Sequence, residues 1–261
     1  MGTSVAGPRM AGKRAIVTGA SSGIGEAVCR AFVREGARVV LVARRREPLE
    51  RLAAELGEAA VSHPADVSDP EQVESMVGAA IGVLGGLDVV VNSAGVSNPA
   101  PLEDLTPERW REVIDINLSG SFYVCRWAGL AMRDAGGGVI VNVASESSLM
   151  GEPLYVAYCA SKGGLLTLTK ALAAELAPTV RVNAVCPGTV ETPMLRRDFE
   201  SLPDPESARR ATKRRIALGR FCTPDEVAAA VVFLAVEATF ATGLGLNIDG
   251  GTTAILPAMV T

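Results

Sequence analysis

Histidine, aromatic residues and long apolar runs are scarce in this chain of 261 residues, and each scarcity closes off a class of function. The single histidine, His63, and five scattered cysteines (Cys29, Cys125, Cys159, Cys186, Cys222) have no metal-ligand spacing, so no metal site is expected. His63 reads as a solvent-facing or strand-end residue, and the thiols fit reduced side chains of a cytoplasmic protein. No apolar stretch reaches the ~18 residues of a membrane span, and residues 1–10 lack the charged and apolar regions of a signal peptide. With a net charge of −4 the chain offers no broad basic surface for nucleic acid or an anionic membrane. Only Arg44-Arg45-Arg46 is densely basic. At 48% apolar and 21% charged, the composition is that of an ordinary globular protein.

Strand-like and helix-like segments alternate throughout, which argues for a parallel sheet with helices on both faces. Strands are expected at 14–17, 39–43, near Val61, and at 87–91, 139–143 and 180–185. Helices are expected after the first glycine-rich turn, at about 47–56, from Pro70 to Gly85-Gly86, from about 107 to 133 with a dip at Ser119-Gly120-Ser121, and around Tyr158 up to Pro178. There is no linker and no internal repeat, so residues 11–261 read as one domain preceded by a flexible arm, 1–10.

Two motifs carry chemistry. Tyr158 and Lys162 stand four apart, on one face of a helix, so the ammonium can lie beside the phenol and draw its pKa down from roughly 10. Ser145, from a separate segment, can hydrogen-bond the same substrate oxygen, leaving an apparatus that moves a proton while another agent moves a hydride. That agent is indicated by Thr18-Gly19-Ala20-Ser21-Ser22-Gly23-Ile24-Gly25, directly after the first strand. Glycines there let backbone approach a pyrophosphate, and the helix N-terminus favours its charge. Tyr155 has Cys159, not lysine, four residues on, and Cys159 reads as packing.

In this order, the Thr18–Gly25 turn, Asp66-Val67, Asn92-Ser93-Ala94-Gly95, Asn117, Ser145, Tyr158-x-x-x-Lys162, Pro187-Gly188 and Asp249-Gly250-Gly251 resemble the short-chain dehydrogenase/reductase family over almost the full length. The resemblance implies a Rossmann-like, doubly wound, seven-stranded α/β sheet in the order 3-2-1-4-5-6-7. It implies NAD(P) binding by Gly19, Ser21, Ser22, Gly23, Ile24 and Gly25, with Asp66 and Val67 at the adenine and Asn92, Ala94 and Gly95 along its ribose. Pro187, Gly188, Val190 and Thr192 would meet the nicotinamide, and Tyr158 and Lys162 its ribose and the substrate. Asn117 would be a relay residue, Ser145, Tyr158 and Lys162 the catalytic group, residues 192–218 a substrate lid, and the assembly a homo-oligomer, tetramer or dimer. Ser93 departs from the family's usual second Asn, which would loosen hydrogen bonding between strands there.

At the end of the second strand, where an acidic residue would favour NAD, the chain has Ala43-Arg44-Arg45, and Arg44 favours NADP(H) through guanidinium–phosphate pairing. The alternative is a solvated helix start, more so for Arg45 and Arg46. Glu146, directly after Ser145, could read an amine or the hydroxyls of a polyol, or could simply face water or an arginine. The expected function is ketone–secondary alcohol interconversion on a sugar, polyol or secondary metabolite. Its rival is 3-oxoacyl reduction, weakened because Leu130 and Ala174 stand where carrier-binding arginines would be. A non-catalytic NADP-binding protein is the reading from another class.

Overall fold

The computed structural model describes residues 7–254. Seven parallel strands form one sheet in the order β3-β2-β1-β4-β5-β6-β7, as expected. They are β1 Arg14–Thr18, β2 Arg38–Ala43, β3 Ala60–Pro64, β4 Val89–Asn92, β5 Gly138–Val143, β6 Val180–Pro187 and β7 Gly245–Ile248. The helices are α1 Gly23–Arg34, α2 Arg46–Leu56, α3 Pro70–Leu84, α4 Pro107–Ile114, α5 Gly120–Asp134, α6 Val156–Leu176, α7 Pro193–Glu200, α8 Pro205–Arg215 and α9 Pro224–Val232.

Successive strand residues point to opposite faces, and here both sets are apolar. Val17, Leu41, Val91 and Val141 pack with α1, α2 and α9, through Phe32, Leu49 and Val231. Ile16, Val40, Val90 and Ile140 pack with α3, α5 and α6, through Met76, Met132 and Leu176. A sheet covered on both faces needs such near-continuous apolar strands. Strand β1 pairs with β2 on one side and β4 on the other. The chain order reverses at that point, which opens a crevice beyond the carboxyl ends of β1 and β4.

Three local expectations change. The described end of the N-terminal arm is docked: Met10 is fully buried and its N–H donates to the Glu35 carbonyl at 2.9 Å. Arg9 bridges Glu35 at 2.6 Å and Glu237 at 2.9 Å. The dip expected at Ser119-Gly120-Ser121 is a widened π-type turn over Asp115–Ser119. Here Ser121 Oγ donates to the Asn117 carbonyl at 2.8 Å, and Gly120 permits close contact with the Val67 carbonyl, 2.9 Å from where a Cβ would lie. Strand β6 runs on to Pro187. His63 lies near the end of β3, as expected. The apolar run 255–260 lies outside the described residues.

Candidate active site

The crevice is a cleft of about 710 Å³ that runs from the glycine-rich turn to Tyr158. Its nucleotide end is built by close backbone approach. Gly19 has φ +68°, and a Cβ there would sit 2.6 Å from the Ser93 carbonyl and 2.7 Å from Ala94 N. A Cβ on Gly25 would collide with the Gly19 carbonyl, so Gly25 packs the turn against its helix and does not line the cleft. Thr18 Oγ1 accepts from Ser93 N at 3.1 Å and Ala94 N at 3.2 Å. That bridge ties the β1 and β4 ends together, so the loosening expected from Ser93 does not arise.

Helix α1 starts without a side-chain cap at Ser22, whereas α3, α4 and α7 are capped by Asp69, Thr106 and Thr192. Its free N–H groups and dipole therefore face the cleft as an anion site. Arg45, exposed at the start of α2, donates to Ser21 Oγ at 3.1 Å and Ser22 Oγ at 3.4 Å. Arg44 lies 3.7 Å from Asp66, whose Oδ1 accepts from Ser68 N and Oγ. Both arginines line the cleft, with Asp66, Val67, Ala94 and Gly95. The donors, close-packed glycines and cations fit a dinucleotide phosphate.

Asn92, like Gly25, does not line the cleft. It is almost fully buried and turned into the core, where Nδ2 donates to Asn142 Oδ1 at 2.9 Å. Asn142 in turn donates to Thr169 Oγ1 at 2.9 Å, so the pair joins the sheet to α6. The Asn92 side chain is structural, and its neighbour Ser93 lines the cleft instead.

At the reacting end, Ser145 closes β5 and Tyr158 and Lys162 lie on α6, all three on the cleft wall. Ser145 Oγ accepts from Ser147 N at 3.1 Å, which fixes its direction. Lys162 Nζ donates to the Val143 carbonyl at 2.7 Å and lies 5.6 Å from the Tyr158 ring centroid. Asn117 is fully buried in the π-type turn. Its Nδ2 donates to Ser161 Oγ at 3.0 Å and to the Val96 carbonyl at 2.9 Å, and its Oδ1 accepts from Val96 N. It braces the wall from behind and does not line the cleft.

The expected depression of the phenol does not occur in the ligand-free cleft. Burial pushes Tyr158 up to about 12, with the hydrogen bond to Ser145 opposing and the carboxylates of Asp198, Glu152 and Glu146 adding to the rise. Burial also pulls Lys162 down to about 8. Desolvation outweighs the attraction between them because the ammonium is turned to the Val143 carbonyl.

Pro187, Gly188, Val190 and Thr192 meet the cleft as expected, and Thr192 caps α7 with its methyl against Gly23. Residues 192–218, the segment of the expected lid, fold as α7 and α8 and contribute Leu195, Asp198 and Thr212 to the cleft. Glu146 is half-buried: its Oε2 is buried with no hydrogen-bond partner, and Arg215 offsets its charge only weakly. Sequence reasoning missed Glu152, Asp198, Ser97 and Tyr155 as wall residues. Tyr155 donates to Asp198 Oδ2 at 3.3 Å, and its ring lies edge-on to Tyr158 at 6.1 Å.

A doubly wound sheet with a phosphate cradle at its switch point, opening onto a serine, a tyrosine and a lysine, defines a nicotinamide-dependent oxidoreductase acting on C–OH and C=O groups. A family model described as Enoyl-(Acyl carrier protein) reductase matches residues 19–253. The chain is 43% identical to D-threitol dehydrogenase of Mycolicibacterium smegmatis, over 94% of each chain. It is 40% identical to 3-oxoacyl-[acyl-carrier-protein] reductase of Thermotoga maritima, over 93% of this chain and 98% of that one. The solved structure of ligand-free aldohexose dehydrogenase from Thermoplasma acidophilum superposes with a TM-score of 0.88 at 34% identity, covering 98% of this chain and 100% of that one. The protein belongs to the short-chain dehydrogenase/reductase family.

Proposed function

We propose that the protein interconverts a ketone and a secondary alcohol of a sugar or polyol with NADP(H), using Tyr158 as the proton donor and acceptor. The observation that carries this reading is the shared cleft, which places Arg44 and Arg45 at one end and Ser145, Tyr158 and Lys162 at the other. When bound, the nicotinamide supplies or takes up the hydride. Ser145 Oγ orients the substrate oxygen, and Tyr158 passes its proton to that oxygen. A phenol held near 12 is protonated at neutral pH, as a donor for carbonyl reduction must be. Lys162 stands behind the phenol as the cation that stabilises it once the proton has left. Asn117 positions the helix carrying both residues through Ser161.

Two guanidinium groups at the end of β2, with no carboxylate in the sequence positions beside them, favour a 2′-phosphate over a free 2′-hydroxyl. Relatives named for D-threitol and for an aldohexose support a polyhydroxyl substrate. The test is reduced-nicotinamide oxidation with NADPH and NADH in parallel, against diketones, keto sugars and 3-oxoacyl thioesters. Preference for NADPH that falls at least about ten-fold in Arg44→Ala/Arg45→Ala is expected, since a charge-assisted pair contributes about 1.5–3 kcal/mol. Equal or better use of NADH by the unaltered protein would reject the cofactor assignment, and turnover confined to thioesters would reject the substrate class.

A further inference from the structure

Three carboxylates reach the reacting end of the cleft from three separate elements: Glu146 after β5, Glu152 before α6 and Asp198 on the lid helix α7. Two of them have donors. Asp198 accepts from Ser97 Oγ at 2.8 Å and Tyr155 at 3.3 Å, and Glu152 accepts from Ser147 Oγ at 3.4 Å. The third does not. Glu146 Oε2 is buried without a partner, against Gly188, where a Cβ would come within 3.0 Å of it. A buried acceptor left without a donor is unfavourable, and a ligand hydroxyl would supply the missing donor.

The cations nearest the trio, Arg197 on the cleft wall and Arg215, are exposed and offset it only in part. Arg44 and Arg45 stand at the other end, by the glycine-rich turn. Lys162 is committed to the Val143 carbonyl. Arg197 is exposed, and Arg215 reaches Glu152 only at 3.9 Å and from an open side chain. Burial raises all three carboxyl pKa values, Glu146 to about 7, and Glu152 opposes the ionisation of Glu146 as Asp198 opposes that of Glu152. Such a wall can receive and donate hydrogen bonds to hydroxyls, but it repels a substrate anion.

We infer that Glu146, Glu152 and Asp198 are specificity-determining residues, which admit neutral polyhydroxyl substrates and reject carboxylate- or sulfonate-bearing molecules of the same length. Rejection by an introduced like charge is as effective a route to specificity as added attraction. The inference rests on the oxidoreductase reading above and narrows its substrate class.

Binding tests it independently of turnover. The NADPH-loaded full chain is titrated calorimetrically with D-threitol and with D-threonate, a carboxylate of equal length. The expected result is at least about ten-fold tighter binding of threitol, the effect of one incompletely screened like charge nearby. In Glu146→Gln/Glu152→Gln that ratio falls below about three-fold, with NADPH affinity unchanged as the check on folding. If the double variant fails to fold, Glu152→Gln alone must lower the ratio. Equal affinity for threonate in the unaltered protein, no binding of either ligand, or a ratio indifferent to the substitutions would overturn the inference. Silence toward every ketone, with threitol selected over threonate, would count against the reductase reading alone.

Discussion

Replacing Gly19 with alanine strikes the cradle at its tightest point. The residue has φ +68°, which costs a side chain about 1–2 kcal/mol. The new methyl would also stand 2.6 Å from the Ser93 carbonyl and 2.7 Å from Ala94 N, backbone atoms held by Thr18 and unable to swing aside. Overpacking of that kind adds about 1–3 kcal/mol, for a total of roughly 2–5 kcal/mol. Gly85→Ala is the control: it has nearly the same φ, 75°, with nothing within 4 Å of the added atom. It should cost only the conformational part, about 1–2 kcal/mol. Urea denaturation at one fixed protein concentration gives both values, and NADPH titration reports whether the cradle survives. If Gly19→Ala is no more costly than Gly85→Ala and binds NADPH normally, the close approach of backbone to backbone is wrong.

Protonating the buried Lys162 works against folding, because its folded pKa, about 8, is below its ordinary 10.5. That cost is full below pH 8 and fades as pH rises toward 10.5, where the unfolded chain holds the extra proton. Lys162→Met should therefore stabilise the protein by about 1–3 kcal/mol at pH 7 and abolish turnover, with the gain shrinking in denaturation series toward pH 10; a gain independent of pH would contradict this. Asp88 shows the opposite sign. Arg14 holds its carboxyl below the usual range through contacts at 2.8 and 3.0 Å, so its stabilisation is present above pH ~4 and lost as pH falls. Asp88→Asn should cost about 1 kcal/mol at pH 7 and nothing in acid-unfolding measurements near pH 2.

What was legible in the sequence was whatever is local. The glycine-rich turn, the helical spacing of Tyr158 and Lys162 and the alternation of strands each depend on neighbours in the chain, and the sheet order followed from the family resemblance. What was not legible depends on contacts across the fold. Asp198 and Glu152 join the wall only because α7 folds back over the loop before α6, and no spacing rule links them to Ser145. Arg45 reaches Ser21 because β2 and the first turn lie side by side, which a basic run alone does not reveal. Asn92 is drawn into the core by Asn142 on the neighbouring strand. The Tyr158 phenol rises in place of falling because desolvation, reinforced by three carboxylates of the cleft, outweighs every opposing contact.

The central claim is that Tyr158 moves the proton, and single-turnover NADPH oxidation by Tyr158→Phe with a ketone that the unaltered protein reduces tests it most directly. The account predicts a fall in the rate of roughly 100- to 10,000-fold, the usual contribution of a positioned acid, with the fold unchanged by circular dichroism. A variant that keeps more than about a tenth of the rate would contradict it.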